Sequence, residues 1–199
     1  MDLSSRVASM QPLRQAASEG NFPELKRLCK EKGAKLDEAG PGSGKTALHW
    51  GALAGSNEIV SYLLKRQAAV DPLDIDLNTP LNLLIQAPNI LLQKKLVIIQ
   101  TFLAHRADPT RANHRGQTPL MSLIRLRENL PATHYYQLRS LNEVIARIKQ
   151  DIYLQAHEAR QSLRIYPNGQ VVAEPKLLNA AVPAISNYLP PLTPSLRYR

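Results

Sequence analysis

Apolar residues fall at helical spacing in a series of short runs, and a turn cuts off each run. Leu13, Ala16 and Ala17 precede Gly20, a residue that can end a helix with positive φ. Leu25, Leu28 and Cys29 stand at i, i+3 and i+4, in a helix expected from Pro23 to about Lys32, with Gly33-Ala34 as its stop. Leu48, Ala52 and Ala54 form the next run, with Trp50 and Leu53 around them, and Gly55-Ser56-Asn57 makes the turn. Ile59, Val60, Leu63 and Leu64 supply the following stripe. After Leu81, Leu83, Leu84 and Ile85, Pro88 ends a helix, and Leu96, Ile98, Ile99, Phe102 and Leu103 begin another. Leu120, Leu123, Ile124 and Leu126 come last before Pro131. The pattern predicts pairs of short helices joined by tight turns.

A longer helix is expected from His134 to Leu163, capped by Thr133. Its Leu138, Leu141, Ile145, Ile148 and Ile152 alternate spacings of 3 and 4 before Gln155 interrupts them. Such a stripe either seals the end of a helical stack or forms a short coiled-coil seam. Residues 165–199 change character, with Pro167, Pro175, Pro183, Pro190, Pro191 and Pro194. Ile165-Tyr166 and Gln170-Val171-Val172 flank Pro167-Asn168-Gly169, a hairpin pattern. An extended or disordered arm is expected beyond Pro175.

The short runs repeat. Thr46-Ala47-Leu48-His49, Thr79-Pro80-Leu81-Asn82 and Thr118-Pro119-Leu120-Met121 open three copies, spaced by 33 and then 39 residues. The six extra residues fall in Gln86–Gln93, where a glycine turn would otherwise stand. Period and opening resemble those of ankyrin repeats, over residues 12 to about 128. The resemblance implies an all-α solenoid of helix-turn-helix units. An arm, 1–11, precedes repeats over 12–132: a capping repeat 12–45, then 46–78, 79–117 and an altered start 118–132. A capping helix, 133–164, and a Pro-rich tail, 165–199, follow. Ankyrin proteins hold partner proteins on a concave face of finger tips and first helices. By position, that face comprises Lys45, Leu53, Ala54, Leu73, Ile75, Asp76, Asn78, Gln86, Ala112, His114, Arg115, Gln117 and Arg125. His49 stands where the family's histidine bonds between neighbouring repeats, and Gly44 and Gly116 at its finger glycine. Leu73, Ile75 and Leu77 place three apolar side chains in a finger where polar ones are usual.

Composition narrows the class. Apolar residues make up 44% and aromatic residues 5%, so aliphatic side chains must fill the core. The single cysteine, Cys29, excludes an intramolecular disulfide framework and suits a reducing compartment. No apolar run reaches bilayer-spanning length, and no apolar segment follows Met1–Arg6, so neither a membrane span nor a signal peptide is expected. The expected location is cytoplasmic, in a bacterium or, for an effector, in host cytosol. The net charge is +9, spread thinly, with one concentration: Arg106, Arg111, Arg115, Arg125 and Arg127 against Asp108.

Chemistry-bearing motifs are few. Ala39-Gly40-Pro41-Gly42-Ser43-Gly44-Lys45-Thr46 satisfies a relaxed phosphate-loop pattern, but no buried strand precedes it, and Gly44 and Thr46 already serve the repeat. His49, His105, His114, His134 and His157 form no i, i+3 or i, i+4 pair, so no metal spacing exists. Pro191-Leu192-Thr193-Pro194 is a P-x-x-P element of a kind that polyproline grooves read, or part of a plain linker. No cofactor, metal or catalytic residue is expected. The expected function is non-enzymatic binding of a protein, with an acidic surface complementing the arginines, by a monomer. Two alternatives remain open. One is a secreted effector of an intracellular bacterium, which short basic ankyrin proteins resemble, with any chemistry in the C-terminal third. The other is nucleic-acid binding through the arginines. If the long helix is a cap, a chain ending at Pro131 should melt well below the full chain in a calorimetric scan; an unchanged transition would favour the coiled-coil seam.

Overall fold

The computed structural model describes residues 12–30, 34–161, 164–165 and 171–172. The arm 1–11, the helix stop at Gly33, the turn Pro167–Gly169, the distal tail and its P-x-x-P element lie outside the described residues. The chain divides into two units, Met1–Ile145 and Ala146–Arg199.

In the first unit, α1 (Pro12–Ser18) and α2 (Phe22–Leu28) form one pair, and α3 (Ala47–Leu53) and α4 (Asn57–Lys65) the next. Helices α5 (Pro80–Gln86) and α6 (Leu92–Ala104) form the third pair, and α7 (Pro119–Glu128) opens a fourth. First helices stack in the order α1, α3, α5, α7, and second helices in the order α2, α4, α6. The starts follow from capping chemistry. Asn21, Ser56, Thr79 and Thr118 each accept a first-turn amide through the side chain, and proline occupies the first turn of α2, α5 and α7. The helices are too short to stand alone, so burial holds them. Leu25, Leu48, Ile59, Leu63, Leu81, Leu84, Ile98, Ile99, Phe102 and Leu123 lose almost all contact with solvent. Gly51 lets α4 close on α3, because a Cβ there would meet Ile59 Cγ2 at 2.6 Å.

The insertion replaces a glycine turn with two other devices. Helix α5 stops at Gln86, and Ala87 turns extended before Pro88. Ile90 then folds back on the preceding turn, where a Cβ on Gly55 would lie 3.1 Å from Ile90 Cγ2. Helix α6 begins at Leu92, earlier than the expected apolar start at Leu96. Its buried Lys95 donates from Nζ to the Ile85 carbonyl at 2.8 Å, satisfying an acceptor at the end of α5. Burial lowers the Lys95 pKa.

The long helix α8 spans Tyr135–Gln161, against an expected 134–163. Within the first unit it buries Leu141, Val144 and Ile145. In the second unit Ile148 and Ala156 of the same helix are buried. There β1 (Arg164–Ile165) pairs antiparallel with β2 (Val171–Val172), Arg164 opposite Val172 and Ile165 opposite Val171. This short ladder is the only strand pairing among the described residues; it shares Ile165, Val171 and Val172 with the expected arms, whose Tyr166 and Gln170 lie outside the described residues.

One position in each repeat shows how copies are joined. His49 Nδ1 accepts the Thr46 N–H at 3.1 Å, which leaves Nε2 to donate to the Asn78 carbonyl of the next loop, also at 3.1 Å. At the equivalent place in the next copy, Asn82 Nδ2 lies 3.3 Å from the Gln117 carbonyl. Asn82 Oδ1 is buried and meets no protein donor. In the last copy the position holds Met121, which is exposed. Asn82→His should restore the return bond and raise stability by about 1 kcal/mol. The urea midpoint measures it; no rise would show that the shorter side chain already satisfies this joint.

Candidate functional site

The loops that enter the first helices fold back on themselves. Gly40 N–H donates to the Lys45 carbonyl (2.9 Å), Asp74 N–H to Asn78 (3.1 Å) and Asn113 N–H to Gln117 (3.1 Å). A left-handed residue stands at the equivalent place in every loop, Gly44 (φ 68°), Leu77 (φ 58°) and Gly116 (φ 70°), and the first loop has a second at Gly42 (φ 78°). A leucine there costs roughly 1–2 kcal/mol relative to a glycine. Neighbouring loops are joined by backbone bonds, Ile75 N–H to the Ser43 carbonyl (3.2 Å) and His114 N–H to the Asp76 carbonyl (2.9 Å). Gly44 also permits the close approach, since a Cβ would lie 2.9 Å from Ile75 N.

Beneath this row runs a buried polar frame. The Asp74 carboxylate accepts the N–H groups of Asp76 (3.0 Å) and Asn78 (2.8 Å) and pairs with Lys45 Nζ at 3.3 Å. Asn78 Oδ1 accepts Asn113 Nδ2 at 2.8 Å, and Asn113 Oδ1 holds the N–H groups of Arg115 and Gln117 at 3.0 Å. Burial raises the Asp74 pKa, but the Asn78 donors and Lys45 outweigh it and hold the carboxyl below its ordinary value. Burial lowers the His49 pKa, only partly offset by its bond to Asn78. Asp71 is pushed up by burial, although its Oδ2 accepts the Asp108 N–H at 2.9 Å.

These positions sort the expected contact residues. Asn78 is 7% exposed and its side chain is spent on Asp74 and Asn113, so it belongs to the frame and not to a contact surface. Lys45 is likewise committed, its side chain 18% exposed and paired with Asp74. This pairing also explains the phosphate-loop likeness: the lysine is a joint between loops, and a turn, not a strand, precedes Gly40. Leu53, Leu73 and Gln117 are half-buried. Ala54, Asp76, Gln86, Ala112, His114, Arg115 and Arg125 are exposed. Ile75 is 58% exposed and Leu77 38%. The backbone bonds bring residues 75–77 beside 114–115. Gln86 is the last residue of α5, about 10 Å along the helix from the loops. Arg125 sits in the last turn of α7. Asn113 was not foreseen as a frame residue; its signal is that it stands 39 residues after Asp74, the same offset that separates Thr79 from Thr118.

Residues 5–76 match the family model for ankyrin repeats, in three copies. Over that segment the chain carries ankyrin repeats. The match ends at Asp76; beyond it the same local geometry continues, with the loop closure at Asn113–Gln117 and the threonine caps at Thr79 and Thr118. No curated protein matches the sequence. No described helix of this ankyrin array is long and apolar enough to cross a membrane.

The frame makes the ankyrin array acid-sensitive in two stages. His49 and Asp74 both have folded pKa values below their ordinary ones, so each adds stability that is present above the unfolded pKa and lost as pH falls through the folded one. For His49 the loss begins below about 6.5, and for Asp74 below about 3.8. His49→Gln should lower stability near neutrality by about 1 kcal/mol and flatten its decline on mild acidification. Urea midpoints across a pH series read both effects; an unchanged slope would remove His49 as the titrating group.

Proposed function

We propose that the chain is a non-enzymatic adaptor module that binds a partner protein on the side formed by its loops and first helices. The partner presents an acidic surface. The observation that carries this reading is the juxtaposition of exposed Ile75 and Leu77 with exposed His114 and Arg115 on a rigid row of loops. Among the described residues, the Arg115 and Arg125 guanidinium groups meet no carboxylate, whereas Arg127 lies 3.8 Å from Glu128. Guanidinium forks suit carboxylates, to which arginine donates two parallel bonds. Leu53, Leu73, Asp76, Gln86 and Gln117 complete the face, and Lys45 and Asn78 support it from below. The part of α8 up to Ile145 closes the array, and the module acts as a monomer. A reducing cytosol suits its one buried thiol, Cys29. The same face would serve a resident adaptor or a secreted effector, since the chemistry of recognition is shared.

Nucleic-acid binding through the same arginines is the competing reading, and salt separates the two. Phosphate contacts give a log–log salt slope of about 0.9 per phosphate, while a partly apolar protein contact is less steep. With the partner captured from lysate, Arg115→Ala/Arg125→Ala and Leu73→Ser/Ile75→Ser should each weaken binding more than about fivefold, roughly 1 kcal/mol. Titration by calorimetry at two salt concentrations is the measurement. If neither pair of changes does so, the loop-side assignment is wrong.

A further inference from the structure

We propose that Leu77 anchors a two-part site for an extended acidic peptide: an aliphatic side chain of the peptide rests on Ile75 and Leu77, and a carboxylate about three residues away is taken by Arg115. This rests on the loop-side reading above and specifies the class of partner. Three observations carry it. First, Leu77 occupies a left-handed position that the two neighbouring loops fill with Gly44 and Gly116. The other described non-glycine residues with positive φ, Gln67 and Arg106, follow helix ends and carry polar side chains. Only Leu77 combines a disfavoured backbone with a partly exposed aliphatic group, next to an Ile75 that is more exposed still. A strained residue whose side chain is left in solvent points to a role outside folding.

Second, the charges are complementary to such a segment. Arg115 stands in its loop where Asp76 stands in the previous one, 39 residues apart. Its guanidinium meets no carboxylate among the described residues, and exposed His114 precedes it in the chain. Phosphate recognition would gain nothing from Ile75 and Leu77, so a peptide with an aliphatic side chain fits better than a nucleic acid.

Third, the spacing suits an extended chain. Stacked repeats recur at about 8–10 Å, the packing distance of their helices. An extended segment rises about 3.3 Å per residue, so it passes from one loop to the next in about three residues. The bond from His114 N–H to the Asp76 carbonyl fixes the two loops relative to each other, so the site is formed before binding.

The probe is a displayed library of random linear peptides, selected on the full chain. Enriched peptides should carry Leu, Ile or Val with Asp or Glu about three residues away. Leu77→Gly should bind them about tenfold more weakly (roughly 1.4 kcal/mol) while showing a higher urea midpoint, because glycine relieves the backbone. Leu77→Asn, which tolerates the left-handed region, should lose binding equally, and Arg115→Ala should lose it without a change in midpoint. The proposal is overturned if no such class is enriched, if either Leu77 variant binds selected peptides as tightly as the native chain, or if Leu77→Gly is less stable. Displacement of the peptides by a polyuridylate strand with a steep salt slope would also overturn it, in favour of nucleic acid. A lysate partner that needs Arg115 and Arg125 while the library yields nothing sinks the peptide site alone and leaves the loop-side reading standing.

Discussion

The described ankyrin array depends on one buried carboxylate. Asp74 is 4% exposed, and a charge so placed survives only when donors surround it. Two backbone amides from its own loop and Lys45 from the previous loop supply them. The consequence extends in both directions along the stack. Lys45 ties Asp74 back to the preceding copy, and Asn78, folded onto Asp74, passes its Oδ1 forward to Asn113. Removing the carboxylate would leave amides and an ammonium group without partners, at a cost larger than that of one hydrogen bond. The loops therefore form a row as a unit, and the exposed side chains borrow their fixed positions from groups that no partner can reach.

The two joints on either side of this loop are not equal. Toward the N-terminus, His49 makes both of its ring bonds, and Ile75 N–H meets the Ser43 carbonyl. Toward the C-terminus, asparagine replaces histidine. The two buried oxygens without a protein donor among the described residues, Asp71 Oδ1 and Asn82 Oδ1, both stand at that joint. In a stacked array stability is a sum over neighbouring interfaces, so the loop bearing Ile75 and Leu77 lies between two joints that differ in kind, the second of which holds both of these oxygens.

Much of this was legible in the sequence. The spacing of Thr46, Thr79 and Thr118 gave the helix pairs, and Pro88 gave the place of the insertion, because threonine caps and proline breaks act locally. The histidine's joint was legible only through the family resemblance. What stayed hidden depends on tertiary partners. Lys45 and Asn78 look like surface residues in a loop, and their commitment to Asp74 appears only when the loops are brought side by side. Lys95 looks like one of two exposed lysines at a helix start; its burial follows from the open helix end that the insertion leaves at Ile85. Leu77 carries no local sign of strain, since a leucine shows its φ only when it is aligned with the glycines it replaces.

The same geometry links the surface to the stability of the array. A ligand that touches residues 75–77 and 114–115 together spans the joint that holds the two orphaned oxygens. Anything that binds the joined state alone stabilises it by mass action, in proportion to the logarithm of ligand concentration over its dissociation constant. The backbone bond from His114 to Asp76 and the bond from Asn113 to Asn78 would be held closed by such a ligand. Binding energy would then act where the protein's own bonds are incomplete. The strain at Leu77 and the orphaned oxygens at Asp71 and Asn82 therefore fit one picture: the stack gives up stability near the loops that carry its exposed side chains, while the Asp74 frame keeps those loops in register.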